Sequence, residues 1–300
     1  MDPAKVSFIN ALDMKLALIL FGLSGASATY PCVWWYLSKK DFLDQDRKSS
    51  RVLRSIGSIK ENARSYQAAA SQHKGAAKLS AAAFKSCQYD PLWHLEDQTE
   101  VIDVLPPMEL HLLLGIVNKL FNHLDVILTE IPNNSVTAES WSKACCISRP
   151  KLHGGEFNGN SCKILLNSVD KLEELTPKGS KALENIIKVF KDFKCVKEAC
   201  LTKTYIEGYK QVIRELETTY KLLGIGVTPK VHAVLDHVED FLDRQNDGLG
   251  LGHHSEQASE AVHSDFKKLW TGAGYKREIN HPDCSKNRLK CGVVYNSGHK

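Results

Sequence analysis

The sequence predicts a mainly α-helical fold. Two long stretches carry apolar residues at helical spacing, strand-like alternation is sparse, and clusters of Gly, Pro, Asn and Ser cut the chain into helix-length pieces. With 300 residues, 43% hydrophobic and 25% charged, there is enough apolar material for one large domain or two small ones. That composition argues against a disordered chain.

In chain order, Val6-Ser7-Phe8-Ile9 is the one short run that reads as a strand. An apolar segment from Met14 to Leu23 follows, and Asp13 stands where a helix N-cap belongs. With Lys15 at its start and Ala26-Ser27-Ala28 after it, the same segment also reads as a secretory leader cleaved after Ala28. On that alternative the protein is a secreted helical binding protein, and Asn133-Asn134-Ser135 becomes a glycosylation acceptor. The run is shorter than the roughly 20 residues a bilayer crossing takes, so no membrane is expected. Helices are then expected around Ser58 to Ala70 and Ala76 to Cys87.

The clearest helix follows Pro106-Pro107, where Met108, Leu112, Ile116, Leu120 and Leu124 recur every four residues and Leu113, Val117 and Ile127 widen the stripe. Further helices fall around Cys162 to Leu175 and Ala182 to Cys200. Ile206, Tyr209, Ile213, Leu216, Tyr220 and Leu223 mark another, which should stop near Gly224 because glycine accepts the left-handed cap conformation. Thr228-Pro229 combines an N-cap residue with proline at the first helical position, so a helix should run to about Arg244. After the loop carrying Gly248, Gly250 and Gly252, Ser255 can cap a last amphipathic helix with Ala258, Val262, Phe266 and Leu269 on its apolar face.

Charge is less informative. Thirty-nine basic and 35 acidic residues leave +4, which permits nucleic-acid contact without requiring it. Arg47, Lys48, Arg51, Arg54, Lys60, Arg64, Lys74 and Lys78 either contact phosphates or form solvated helix faces. Nine cysteines, scattered except for Cys145-Cys146, lack the spacing of a disulfide scaffold and read as reduced thiols.

Three groups of residues can carry chemistry, each with a plainer explanation beside it. Glu256 and Glu260 share a helix face with His263, either as a solvated polar face or as ligands for a catalytic metal ion. His232 and His237 are five apart, about 140° around an α-helix, so as an α-helical pair they do not share a face. Cys32 is a lone thiol beside Trp34 and Trp35, which suits a buried structural cysteine as well as a ligand.

Four blocks widen this reading. Asp13-Met14-Lys15 is followed by Gly25-Ala26-Ser27 and Pro31-Cys32, with 19 residues from Asp13 to Cys32. Pro106-Pro107-Met108-Glu109-Leu110-His111 and Phe157-Asn158-Gly159-Asn160-Ser161-Cys162-Lys163 are the second and third. The fourth runs from Thr228-Pro229-Lys230-Val231-His232 through His237-Val238 and Gly248-Leu249-Gly250 to Ser255-Glu256-Gln257-Ala258-Ser259-Glu260 and Phe266. Together they resemble the family of the RAG recombinase catalytic subunit and the Transib transposases, over nearly the whole chain.

The resemblance implies a helical insertion domain with the C-terminal helices of a truncated RNase H-like catalytic core. It divides the chain into a core remnant at 1–45, the insertion at 46–227 and the histidine- and glutamate-bearing helices at 228–300. It implies that Asp13 and Glu260, with Glu256 as runner-up, are Mg²⁺- or Mn²⁺-binding carboxylates of a DDE transposase. It also implies that Cys32, His232 and His237 belong to a zinc site completed in the family by a second cysteine, at the position of Trp35. His254 is a substitute to consider. The family cuts DNA by in-line displacement at phosphorus with two metal ions about 3.5 to 4 Å apart. The first carboxylate of its triad has no counterpart here, since Asp2 is the sole earlier carboxylate and lies in no strand motif. The expectation is a nuclear, transposon-derived protein that binds DNA, itself or a related transposase chain but does not cut by itself. An active recombinase completed by a partner chain is the alternative.

Overall fold

The computed structural model describes residues 13–49, 51–75, 79–150 and 155–254. Among these the protein is mainly helical, and β-pairing is confined to isolated bridges. The strand expected at Val6 to Ile9 and the helix expected after Ser255, with Glu256, Glu260 and His263, lie outside the described residues.

Helix α1 (Met14–Leu20) begins where Asp13 accepts a hydrogen bond from the Lys15 backbone N–H at 3.1 Å. Its Ala17 and Leu18, with Phe21 just beyond, are buried, and Phe21 meets the edge of Trp93 at 5.8 Å. The stretch that resembles a leader is thus part of the core. The chain then runs through Cys32, Val33, Trp34, Trp35 and Phe42, all buried, with a bridge from Trp35 to Leu53 and a short 3-10 turn at Lys39–Asp41.

A Ser55–Ser58 capping box starts α2 (Ile56–Gln72), which outruns the expected helix by two residues at each end. The Ala-rich segment after it departs from expectation, since its described residues, from 79 on, carry only a 3-10 turn at Ala81–Phe84 and left-handed backbone at Lys85 and Ser86. Local propensity loses here to pairing across the chain. Ser86 must offer its carbonyl to the Ser24 N–H, and Lys85 must offer its own to Arg54.

After the single turn α3 (Val101–Val104), α4 (Glu109–Glu130) forms the axis of the core. Around it pack α5 (Ala138–Ala144), α6 (Gly159–Asn167), α8 (Lys181–Cys200) and α10 (Pro229–His232), with α7 (Val169–Leu175) joining from α6. Among the described residues α4 alone is long and apolar enough to cross a membrane, and its apolar stripe is spent on these neighbours. The helix expected over Cys162 to Leu175 is two. Ser168 breaks the rotation, and its carbonyl accepts the Trp141 indole N–H at 3.0 Å. The Phe157–Lys163 block meets α4 directly, because the Asn118 amide accepts from the Phe157 N–H at 2.8 Å and donates to its carbonyl at 3.2 Å.

Helix α9 (Tyr209–Lys221) packs along α8 and stops before Gly224, which takes the left-handed conformation expected of it. Thr228 caps α10 through the Val231 N–H at 3.3 Å, with Pro229 in its first turn. A π-helical turn, Ala233–His237, continues it into α11 (Val238–Gln245). The following loop needs glycine. A Cβ on Gly250 would stand 2.3 Å from the Thr202 carbonyl oxygen, while its N–H donates to Lys203 at 2.9 Å. The described residues between Asp13 and His254 belong to one compact unit with a single core.

Candidate metal centre

Two rigid supports bring Cys32 to the histidines. Arg54, fully buried, donates from Nε to the Cys32 carbonyl at 2.9 Å and from Nη2 to the Tyr30 and Lys85 carbonyls at 3.3 and 2.9 Å. This clamps the loop that presents the thiol. Opposite, the helix begun by Thr228-Pro229 delivers His232 and His237, both buried.

The π turn decides whether these histidines can act together. Because they are five positions apart, an α-helix would splay the rings by about 140°. The wider i→i+5 turn sets the second ring over the first. Their Nε2 atoms meet at 3.1 Å, with ring centroids 4.7 Å apart. Cys32 Sγ lies 3.1 Å from His237 Nε2, and all three donor atoms fall within 4.8 Å of one another. A metal bonded at about 2.0 Å to nitrogen and 2.3 Å to sulfur needs donors slightly farther apart, a change of a few tenths of an ångström. This buried Cys–His–His group offers ligands for a metal ion.

Outer contacts orient the ligands. His232 Nδ1 lies 2.7 Å from Asp236 Oδ2, which leaves Nε2 to face the thiol. Asp236 in turn accepts from Arg47 Nε at 3.0 and 3.1 Å, and Arg47 Nη1 reaches Glu217 at 3.0 Å. Arg47 and Arg54 are thus buried parts of this assembly and not phosphate contacts, a correction to the reading of the basic run. Arg51 pairs with Asp240, and Lys60 with Asp97.

Electrostatics favour a charged pair within the group. Burial pushes the Cys32 thiol up, but the nearby His237 and His232 charges and hydrogen bonds outweigh it and hold the thiol well below its ordinary value. Burial pulls His232 down, yet the Cys32 charge and the Asp236 contact raise it to about 9. Burial likewise opposes ionised Asp236, and His232 and Arg47 reverse that, leaving its carboxyl well below the usual range.

Aromatic rings close the site. Phe42 stacks on His232 at 4.1 Å, and Trp34 lies against His237 at 4.6 Å. Trp35, where the resemblance calls for a cysteine, sets its ring edge-on to both histidines and donates its backbone N–H to Cys32 Sγ at 3.2 Å. Among the described residues the group has three donors. His254 does not join it; its ring packs against Phe241 and His253.

Asp13 is elsewhere, on the rim of a cleft of about 720 Å³ between α1, α4 and the start of α10. Lys15, Lys119 and Lys230 line the cleft above an apolar floor that includes Leu18 and Ile19. Asp13 is half exposed there, 3.8 Å from His111 Nε2, and it also serves as the α1 cap. Glu256 and Glu260, the carboxylates expected to act with it, lie outside the described residues.

Neither a family model nor a curated protein matches the chain. The centre therefore stands on its own geometry. Sequence reading missed Asp236, Arg47 and Phe42. Asp236 had a local signal, since it follows His232 by four residues on a helix, whereas nothing local linked Arg47 or Phe42 to the histidines.

Proposed function

We propose that this chain is a transposase-derived protein related to the RAG-like, Transib-type DDE recombinases, with a structural metal centre and a DNA-binding cleft. The observation that carries the reading is the convergence of Cys32 with His232 and His237. The motif resemblance selects these three residues as ligands, and Cys32, which precedes the two histidines by 200 and 205 residues in sequence, has its Sγ 3.1 Å from His237 Nε2 in the fold. Chance core packing has no reason to choose that trio.

In this reading the segment around α1 is a remnant of the RNase H-like core, and α2 through α9 are the helical insertion. Asp13 is a surviving metal-binding carboxylate that awaits Glu260, or Glu256. The cleft beside Asp13 suits a phosphodiester backbone, because Lys15, Lys119 and Lys230 line it from three helices and outnumber its acidic residues, Asp13 and Glu156. The bridging carboxylate of the family has no counterpart in this sequence, so the chain alone binds DNA without cutting it. The nucleus is the compartment in which such a protein meets its ligand.

The test is DNA binding by the purified chain across a salt series, with cleavage assayed in Mg²⁺ or Mn²⁺ beside Asp13→Asn and Glu260→Gln. Affinity that falls steeply with salt, without cleavage, supports the reading. Absent or salt-independent affinity overturns the DNA-binding part. Cleavage abolished by either substitution replaces it with the active-recombinase alternative.

A further inference from the structure

We propose that the Cys32–His232–His237 centre takes a soft monovalent ion, Cu(I), in three-coordinate geometry and holds zinc only weakly. The inference rests on the metal-centre reading and departs from the four-ligand zinc site that the resemblance implies.

Ligand number is the first argument. Structural zinc sites are tetrahedral with four protein ligands. Here the position for a second cysteine holds Trp35, and the described residues supply one thiolate and two imidazoles. The two nearby carboxylates are committed. Asp236 is held by His232 and Arg47, and Asp240 accepts from the Trp35 indole at 3.3 Å and pairs with Arg51. Solvent has no open route to act as a fourth ligand, because Cys32, His232 and His237 are 2, 0 and 0% exposed behind Trp34, Trp35 and Phe42. A set of two histidines and one cysteine around a single point, with no further donor among the described residues, is a copper type of site.

Charge is the second argument. One thiolate with a monovalent ion sums to zero, whereas a divalent ion leaves an unmatched positive charge in the core, which is costly. Asp236 does not cancel it, since its own charge is already met by Arg47 and by Lys48 at 3.7 Å. Binding is a ligand substitution without electron transfer: the ion gains one Cu–S and two Cu–N bonds, and the proton carried by the thiol–imidazole pair leaves to solvent.

The experiment uses the full chain, stripped of metal and kept reduced and anaerobic. It is titrated with Cu(I) and with Zn(II) against chromophoric chelators, beside Trp35→Cys and Cys32→Ser. The expected result is one Cu(I) per chain, with X-ray absorption reporting one sulfur and two nitrogen neighbours. Zn(II) affinity should be low and should rise in Trp35→Cys by at least the roughly 10- to 100-fold that a lesser supporting contact is worth. Four-coordinate zinc bound by the unaltered chain as tightly as by Trp35→Cys overturns the proposal, as does four-coordinate copper. If Trp35→Cys does not fold, X-ray absorption on the unaltered chain still decides the coordination number. If neither ion binds in a way that Cys32→Ser abolishes, the metal-centre reading itself fails; if zinc binds there but three-coordinate copper does not, only this inference fails.

Discussion

His232 and His237 are separated by one π-helical turn, and their Nε2 atoms stand 3.1 Å apart as a consequence. One extra residue in that turn converts two side chains that an α-helix would splay into a pair that can share an ion. His237→Ala should remove one ring of that pair while leaving the helix in place. Metal binding should then fall to the level of Cys32→Ser while far-UV circular dichroism stays near that of the unaltered chain.

The metal-free centre should show a distinctive pH response. His232 is raised to about 9, so its contribution to stability is complete below about 6.5 and is lost as pH rises through about 9. Cys32 is lowered, so its contribution is complete above its ordinary value near 9 and is lost as pH falls toward its folded value. Between these limits the two slopes cancel. Urea midpoints should therefore decline as pH falls toward the folded Cys32 value, a limb that lies above the more acidic range in which Asp236, held low by His232 and Arg47, takes up its proton. Cys32→Ser should flatten the acid limb; an unchanged limb would show that the thiolate is not its source.

Arg54 carries a loop, not a ligand. Replacing it with Met leaves the Cys32, Tyr30 and Lys85 carbonyls without their shared donor in the core. The expected loss is about 2 to 5 kcal/mol of unfolding free energy. An Arg54→Met midpoint equal to that of the unaltered chain would contradict the clamp.

Gly250 tests the packing behind the C-terminal loop. The methyl group of Gly250→Ala would fall 2.3 Å from the Thr202 oxygen, so the Thr204–Leu249 bridge must shift. Destabilisation of about 1 to 3 kcal/mol should appear in urea unfolding. Gly226→Ala, at a site with open space, is the control.

The cleft lysines should act as phosphate contacts. Each of Lys15→Gln, Lys119→Gln and Lys230→Gln should weaken DNA binding uniformly across sequences and reduce the salt slope by about 1. Slopes unchanged in all three would place the DNA elsewhere.

Periodicity alone made most of the helices legible, because an apolar stripe such as Leu112, Ile116, Leu120 and Leu124 is a local pattern that only one backbone conformation satisfies. Thr228-Pro229 and Gly224 likewise announced their helix ends through their own backbone preferences. The family resemblance also named Cys32, His232 and His237. What the tertiary structure decided is how those three meet. The burial of Arg47 and Arg54 and the break at Ser168 go with partners distant in sequence: Asp236 for Arg47, the Cys32 carbonyl for Arg54, the Trp141 indole for Ser168. A buried polar group must find a partner wherever the chain supplies one, and that requirement leaves no mark on the residues beside it.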